Sequence, residues 1–144
     1  MREIRTEIVI GAPLTKVWGI LTNFDQWKAW NPIVSQASGV AALGARLSVT
    51  MCGKDGKGGP KFMPMVTILQ APKSFRWRAK MMFEFLFTNE KVFELEETDS
   101  GTRLIHKELF GGVLVPLFWG KFEKHVPAML NSMNDALRAK AEKH

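Results

Sequence analysis

Hydrophobic and polar positions alternate along residues 2–10, with Ile4, Ile8 and Ile10 on one side. A period of two is typical of a β-strand with one buried face. Pro13 follows the strand and suits the first turn of a helix, because its φ is fixed and it has no N–H to satisfy. The pattern therefore predicts a first strand at 2–10 and a helix that starts at Pro13.

That helix carries a cluster of apolar side chains, namely Val17, Trp18, Ile20 and Leu21. A second short helix is predicted to run through Trp27, with Asn23 or Asp25 as its N-cap. Pro32 ends this second helix, because the residue before a proline is disfavoured in the helical region.

Residues 33 to 111 have the pattern of a series of strands separated by turn residues. The predicted strands are 33–40, 45–52, 61–70, 74–80, 88–97 and 102–110. Glycine-rich residues 53–60 predict a hairpin loop, since a phosphate-binding loop would end in Gly-Lys-Ser/Thr and lead into a helix. Residues 81–87 are apolar without a clear period, and they predict either a connection across a cavity mouth or part of the next strand.

The last two strands flank the turn-forming residues 98–101, Thr-Asp-Ser-Gly. If Glu97 pairs with Thr102, Phe93 lies opposite His106 on the inner face, and Lys91 lies opposite Glu108. The exposed pair Glu96 and Arg103 then has complementary charges. This register predicts a positive and a negative side chain together on the inward face, which a slip of one residue would separate.

The C-terminal segment predicts one long amphipathic helix of about 26 residues, or ~39 Å. Its apolar positions fall within an arc of ~120° and are Phe118, Trp119, Phe122, Val126, Met129, Leu130, Met133, Ala136 and Leu137. Pro116 suits its first turn. Pro127 lacks the N–H that would bond the Glu123 carbonyl, which predicts a kink or break near residues 123–127.

Composition and charge narrow the class of protein. The 144 residues are 46% hydrophobic and 24% charged, as expected of one globular domain spanning 1–144. The single cysteine, Cys52, excludes an internal disulfide and a thiol cluster for zinc. The N-terminus is not typical of a signal peptide, and no apolar run reaches the ~20 residues of a membrane span, so a cytoplasmic location without integral membrane association is expected.

A net charge of +6 is compatible with an anionic partner, but the basic residues are scattered rather than gathered in one run. Arg76, Arg78 and Lys80 alternate with apolar residues, so they predict a solvated outer sheet face rather than a nucleic-acid site. The three histidines are too scattered to indicate a metal site, and neither a cofactor nor a covalent nucleophile is predicted.

Several short motifs occur in an order that resembles a known pattern. They are Ile10-x-Ala12-Pro13, Val17-Trp18, Trp30-Asn31-Pro32, Gly44, Phe62-x-Pro64-x-Val66, Trp77, Phe93-x-Leu95, Gly101-Thr102 and His106-x-Glu108-x-Phe110-x-Gly112. Over essentially the whole chain, the sequence resembles the START/Bet v 1-like (SRPBCC) superfamily, in particular its bacterial polyketide cyclase/dehydratase-like single-domain members.

The resemblance implies an α+β helix-grip fold, with a curved antiparallel sheet of about seven strands (β-α-α-β6-α) around the long C-terminal helix. It also implies a cavity between sheet and helix that takes a lipid, a polyketide or another apolar molecule. Some members of the superfamily catalyse cyclisation or dehydration, so fold alone does not choose between binding and catalysis.

Under this fold, inward strand residues and the inner helix face would line the cavity. The predicted ligand-binding residues are Leu47, Val49, Phe62, Val66, Phe75, Trp77, Phe93, His106, Glu108, Phe110, Trp119, Phe122, Val126, Met129 and Met133. Aromatic and methionine side chains suit an adaptable apolar pocket, although the same residues would also fill a solid core.

His106 and Glu108 are the polar side chains placed on the inward face, and they are the candidate catalytic residues. If Lys91 pairs with Glu108, the carboxylate is structural. If Lys91 points to solvent, Glu108 and His106 are candidates for general acid–base catalysis.

The preferred hypothesis is a protein that binds an apolar small molecule, as a monomer or homodimer and without nucleic acid. The alternative is a polyketide cyclase/dehydratase-like enzyme that uses His106 and Glu108. A third hypothesis is a partner-binding module that uses the basic outer face at Arg76, Arg78 and Lys80.

Overall fold

The computed structural model describes residues 1–53, 58–80, 83 and 85–143. These residues form eight strands, two α-helices and one 3₁₀ helix. In chain order the elements are β1 (Arg2–Ile10), α1 (Leu14–Thr22), the 3₁₀ helix (Phe24–Ala29), β2 (Val34–Ser38), β3 (Ser48–Cys52), β4 (Gly58–Phe62), β5 (Met65–Gln70), β6 (Ser74–Lys80), β7 (Thr88–Thr98), β8 (Gly101–Gly111) and α2 (Val115–Ala141).

The strands form antiparallel β-structure around the long helix α2. Five strands pair in the order β1-β8-β7-β6-β5, and three pair in the order β2-β3-β4. An isolated bridge between Arg46 and Met65 joins the two sets. The predicted α+β helix-grip architecture is therefore confirmed.

The predicted strand 61–70 is wrong as a single element, and its division gives eight strands instead of about seven. Phe62 ends β4, which belongs to the set of three strands, and Met65 begins β5, which belongs to the set of five. Pro64 has no N–H to contribute to a ladder, so the strand is interrupted there. The Pro64 carbonyl instead accepts a hydrogen bond from the Leu47 N–H at 2.9 Å.

Smaller differences concern the ends of elements. The predicted strands 33–40 and 45–52 shorten to β2 and β3. The second helix is a 3₁₀ helix, and the Asn23 side chain makes no capping hydrogen bond to it. Of the predicted loop 53–60, residues 54–57 lie outside the described residues, and 58–60 belong to β4. In 81–87, residues 83 and 85–87 precede β7, and the others lie outside the described residues.

The hairpin of β7 and β8 has the predicted register at every pair. Glu97 lies opposite Thr102, and Lys91 lies opposite Glu108. The outer faces of the same strands carry ion pairs, including one between Nζ of Lys107 and Oε1 of Glu94, 2.9 Å apart.

On β6, Arg76 lies 4.0 Å from Glu90. Part of its positive charge is therefore balanced within the sheet by the Glu90 carboxylate.

An aromatic core fixes the central strands against α1 and the 3₁₀ helix. The fully buried Trp27 contacts Phe24, Trp77 and Phe93, with ring centroids 5.3–6.4 Å apart. Its indole N–H donates to the Leu21 carbonyl at 3.0 Å, so the polar atom of this large side chain is satisfied.

The two halves of α2 have different surroundings. In the C-terminal half, Met133, Leu137 and Ala141 are buried in the main core. In the N-terminal half, Leu117 and Phe118 are exposed. The helix is continuous through Pro127, so the predicted break is wrong, whereas the alternative of a kink near residues 123–127 stays a prediction. Among the described residues, no helix is long and apolar enough to cross a membrane.

We expect Gly120→Ala to stabilise the protein by about 0.5–1 kcal/mol, because glycine within a helix loses more backbone entropy on folding than alanine. A methyl group at Gly120 meets no heavy atom within 4 Å outside its own helical turns. Urea denaturation of both proteins measures the change. Gly120→Val is the matched control and should gain less, since a β-branched residue is restricted in a helix; an equal gain from valine would contradict the helix-propensity explanation.

Candidate ligand cavity

A cavity of about 940 Å³ lies between β6, β7 and β8 on one side and the N-terminal half of α2 on the other. The described residues that line it are Ile33, Val34, Met51, Pro60, Lys61, Phe62, Trp77, Ala79, Lys80, Phe87, Asn89, Lys91, Glu108, Phe110, Leu114, Phe118, Lys121, Phe122, His125, Val126 and Met129. Most of these side chains are apolar, so the cavity suits a predominantly apolar molecule.

The opening and the floor of the cavity differ in exposure. Lys61, Lys80, Lys121 and His125 are exposed and surround the opening. Lys91 lies at the opposite, buried end, with only 4% of its side chain exposed. The floor is therefore formed by the central strands, and the opening lies beside α2.

A polar group occupies this floor. The Lys91 Nζ lies 2.8 Å from Oε1 of Glu108 and 2.9 Å from Nε2 of His106. The Asn89 amide donates to the other carboxylate oxygen of Glu108 at 3.1 Å. Register explains the arrangement, because Lys91 lies directly between Trp77 on β6 and Glu108 on β8. Of the two alternatives left by the sequence, the structure shows Lys91 paired with Glu108.

Behind Lys91, the hydrogen bonds continue away from the cavity. The His106 Nδ1 lies 2.8 Å from Oδ1 of Asn134, and the Asn134 amide donates to the Thr6 hydroxyl at 2.8 Å. The Thr6 hydroxyl donates to the His106 carbonyl at 2.9 Å. Since Lys91 can only donate, Nε2 of His106 accepts and its Nδ1–H donates to Asn134. The network thus ties β1, β7, β8 and α2 together.

This environment keeps His106 neutral. Burial and then the positive charge of Lys91 lower the pKa of His106 well below its ordinary value, against a smaller opposite contribution from the Asn134 hydrogen bond. The neutral ring stacks on Phe93 with centroids 4.4 Å apart. His106 is completely buried, and both ring nitrogens are engaged within the protein.

Over residues 1–142, the sequence matches the family described as polyketide cyclase / dehydrase and lipid transport. The chain belongs to this family. The resemblance found in the sequence motifs is thereby confirmed. No curated protein matches the chain in sequence.

Solved structures similar to this member of the polyketide cyclase / dehydrase and lipid transport family have the same fold. CV1439 from Chromobacterium violaceum is 14% identical, with a TM-score of 0.78 over 100% of both chains. The di-domain ARO/CYC StfQ from the steffimycin biosynthetic pathway is 11% identical, with a TM-score of 0.78 over 97% of this chain and 50% of StfQ. Ara h 8.0201 is 14% identical, with a TM-score of 0.67 over 96% of this chain and 98% of its own. At these identities, the likeness shows the fold alone.

The structure brings some of the predicted ligand-binding residues to the cavity of this family member and places others elsewhere. Those that line the cavity are Phe62, Trp77, Glu108, Phe110, Phe122, Val126 and Met129. Those among the described residues that do not line it are Leu47, Val49, Val66, Phe75, Phe93, His106, Trp119 and Met133.

The second group is absent from the lining because other elements cover it. Phe75 packs against Phe24 of the 3₁₀ helix at 5.5 Å between ring centroids, and most of the group belongs to the main core. Trp119 instead packs edge-on against Phe110, with the Arg2 guanidinium 5.1 Å from its ring centroid.

The prediction missed several lining residues, and some of them had a signal in the sequence. Ala79 shares the inward parity of Trp77, Asn89 and Lys91 share that of Phe93, and Phe118 lies within the apolar arc of α2. Val34 and Met51 come from the smaller set of strands, whose position relative to α2 depends on the tertiary structure.

Proposed function

We propose that this protein binds an apolar small molecule in the cavity beneath the N-terminal half of α2. The observation that carries the proposal is a volume of about 940 Å³ bounded largely by aliphatic and aromatic side chains. Small-molecule sites are commonly about 300–1,000 Å³ and mostly apolar, with a few polar groups that orient the ligand. Each 100 Å² of apolar ligand surface removed from water contributes ~2.5 kcal/mol of favourable transfer free energy.

The family supports this proposal at the level of ligand class. Its description names polyketide chemistry and lipid transport, and lipids and many polyketides have largely apolar surfaces. The size and lining of the cavity suit molecules of this kind, whether they are carried or converted.

The enzyme alternative has weaker support from the geometry. Glu108 lines the cavity, but its two oxygens accept hydrogen bonds from Lys91 and Asn89. His106 does not line the cavity and holds both ring nitrogens within the network behind it. A general acid–base residue must come within hydrogen-bond reach of the substrate, and His106 does not line the cavity. Glu108 does line it but is the counter-ion of Lys91, so the two candidates cannot act together on one substrate, and we propose binding as the function.

We expect Val126→Trp to weaken binding of the neutral fluorescent probe N-phenyl-1-naphthylamine at least ~10-fold, because the larger side chain fills part of the cavity. Val126 lines the cavity, whereas Val113 has 64% of its surface exposed and does not line it. Fluorescence titration measures the affinity, and Val113→Trp is the matched control.

Unchanged affinity in a folded Val126→Trp protein would contradict the proposed site. Native mass spectrometry of the wild-type protein, purified gently, supplies a second test. Consistently ligand-free protein that also fails to bind the probe at micromolar concentration would contradict the proposed function itself.

A further inference from the structure

The floor of the cavity offers one hydrogen-bond donor and one acceptor side by side. An ammonium group has three N–H donors, and two of those on Lys91 are taken by Glu108 and His106. A carboxylate has about four lone-pair positions, and Glu108 uses two, one for Lys91 and one for Asn89. One donor and further acceptor positions remain at the edge of the ion pair.

These groups are accessible from the cavity. Lys91, Asn89 and Glu108 all line it, and Glu108 keeps 16% of its side chain exposed. The surrounding lining is apolar, with Trp77 and Phe110 on the neighbouring positions of β6 and β8. A ligand that enters from the α2 side therefore meets apolar surface first and the ion pair last.

We propose that the ligand is an apolar molecule with a hydroxyl group, which binds the Lys91–Glu108 pair at the floor of the cavity. This inference rests on the proposed function and adds the chemical class of the ligand. A hydroxyl both donates and accepts, so it donates to the Glu108 carboxylate and accepts from the Lys91 ammonium without adding charge.

Charged head groups fit the same position less well. A ligand carboxylate would lie beside the Glu108 carboxylate, and a ligand ammonium would lie beside Lys91, so each would meet a like charge where little water is present. A purely apolar molecule would displace water from the remaining donor and acceptor positions of the ion pair, and it would offer no hydrogen bonds in place of those made to water. A neutral alcohol or phenol avoids both penalties.

The test compares probes of nearly equal shape, namely 1-methylpyrene, 1-pyrenemethanol and 1-pyrenecarboxylate, by fluorescence titration at pH 7. The measured quantity is the hydroxyl preference, which is the Kd of 1-methylpyrene divided by that of 1-pyrenemethanol. We expect the double variant Lys91→Met/Glu108→Leu to lower this preference at least ~10-fold, which corresponds to ~1.4 kcal/mol, since it removes both charged hydrogen-bond partners of the hydroxyl. We also expect wild-type protein to bind the carboxylate at least ~10-fold more weakly than the alcohol.

A matched control lies on the opposite face of the same two strands. Lys107 and Glu94 form an ion pair across β7 and β8, 2.9 Å apart, on the outer side of the sheet. Lys107→Met/Glu94→Leu makes the same chemical change there and should leave the hydroxyl preference unchanged. Glu108→Gln, which keeps the shape of the side chain, is the second test variant and should lower the preference ~3-fold; it decides the outcome if the double variant does not fold.

The outcomes separate this inference from the proposed function. If 1-methylpyrene binds and Val126→Trp weakens it, but the hydroxyl preference is unchanged in the Lys91 and Glu108 variants, the hydroxyl site is wrong and the cavity stands. If 1-pyrenecarboxylate binds as tightly as 1-pyrenemethanol and neither affinity depends on Lys91 or Glu108, the ligand's polar group lies at the lysines of the opening. That result would overturn the proposal that the ligand carries a hydroxyl group at the floor. If none of the three probes binds, both proposals fail.

Discussion

Lys91→Met is expected to destabilise the protein by about 3 kcal/mol at pH 7. The substitution leaves the Glu108 carboxylate without its counter-ion and Nε2 of His106 without its donor. Removing one partner of a buried ion pair typically costs 3–5 kcal/mol, because the remaining charge stays poorly solvated. We take the lower end, since Glu108 is partly exposed to the cavity and keeps its hydrogen bond from Asn89. Urea denaturation followed by circular dichroism measures the change.

The double variant Lys91→Met/Glu108→Leu should recover most of this loss. Replacing both members of a buried ion pair by apolar residues of similar size is often close to neutral. We expect a residual cost of ~1 kcal/mol, because Nε2 of His106 still lacks a hydrogen-bond donor.

Lys107→Met is the control for removing a lysine from the outer face. Its ion pair with Glu94 is partly solvated, so we expect a loss of ~1 kcal/mol or less. Equal destabilisation by Lys91→Met and Lys107→Met would show that the inward pair is no more important for stability than an outer one.

The placement of Lys91 opposite Glu108 was predictable from the sequence because a local turn determines the register, whereas the pairing of their side chains was left open. Residues 98–101 favour a tight connection, and the alternation on both sides then assigns each residue of β7 a partner on β8. Lys91 and Glu108 follow from this register without any information from the rest of the chain. The same local logic predicted the outer pair of Glu96 and Arg103, which the structure contains.

The partners behind His106 were not predictable in this way, because they come from distant parts of the chain. Thr6 and Asn134 are 128 residues apart, and their hydrogen bond forms only when β1 and α2 are both docked. Asn134 lies beside Leu130 and Met133 on the buried side of α2, so helix periodicity indicates which face of the helix it occupies. Its role as the hydrogen-bond acceptor of His106 depends on the imidazole ring that faces it, and helix periodicity does not reveal that ring.

The division between core and cavity also depends on tertiary packing. Alternation identifies Phe75 and Trp77 as inward, and both are buried. Only the position of the 3₁₀ helix decides that Phe75 is covered by Phe24. A sequence pattern assigns the face of a strand, whereas the neighbouring elements determine whether a side chain on that face contacts protein or cavity.

Pro127 shows a similar limit of local reasoning about helices. A proline removes one backbone hydrogen bond, which predicted a kink or break near residues 123–127. In the structure, α2 continues through Pro127 as one helix. The loss of one backbone hydrogen bond therefore does not by itself end a helix whose two sides are otherwise regular.

The stability of the protein should fall as the pH drops below about 6.5, because His106 is neutral in the folded state. Burial and the charge of Lys91 lower its pKa in the folded protein, whereas the unfolded chain has the ordinary value of about 6.5. Between these two values, the unfolded state binds more protons, so acid favours unfolding. The stabilisation is fully present above about pH 6.5 and is lost as the pH falls toward the lower folded value, by at most ~1.4 kcal/mol per pH unit for this one group.

Two histidine variants separate this contribution from the rest of the titration. His106→Gln cannot titrate in this range, and its amide can accept from Lys91 and donate to Asn134, so its free energy of unfolding should vary less between pH 7 and 5. His125→Gln makes the same substitution at an exposed histidine beside the cavity opening and is the matched control. A His106→Gln protein with the wild-type slope would mean that His106 is not the group whose protonation opposes folding, and the neutral acceptor assigned to Lys91 would be wrong.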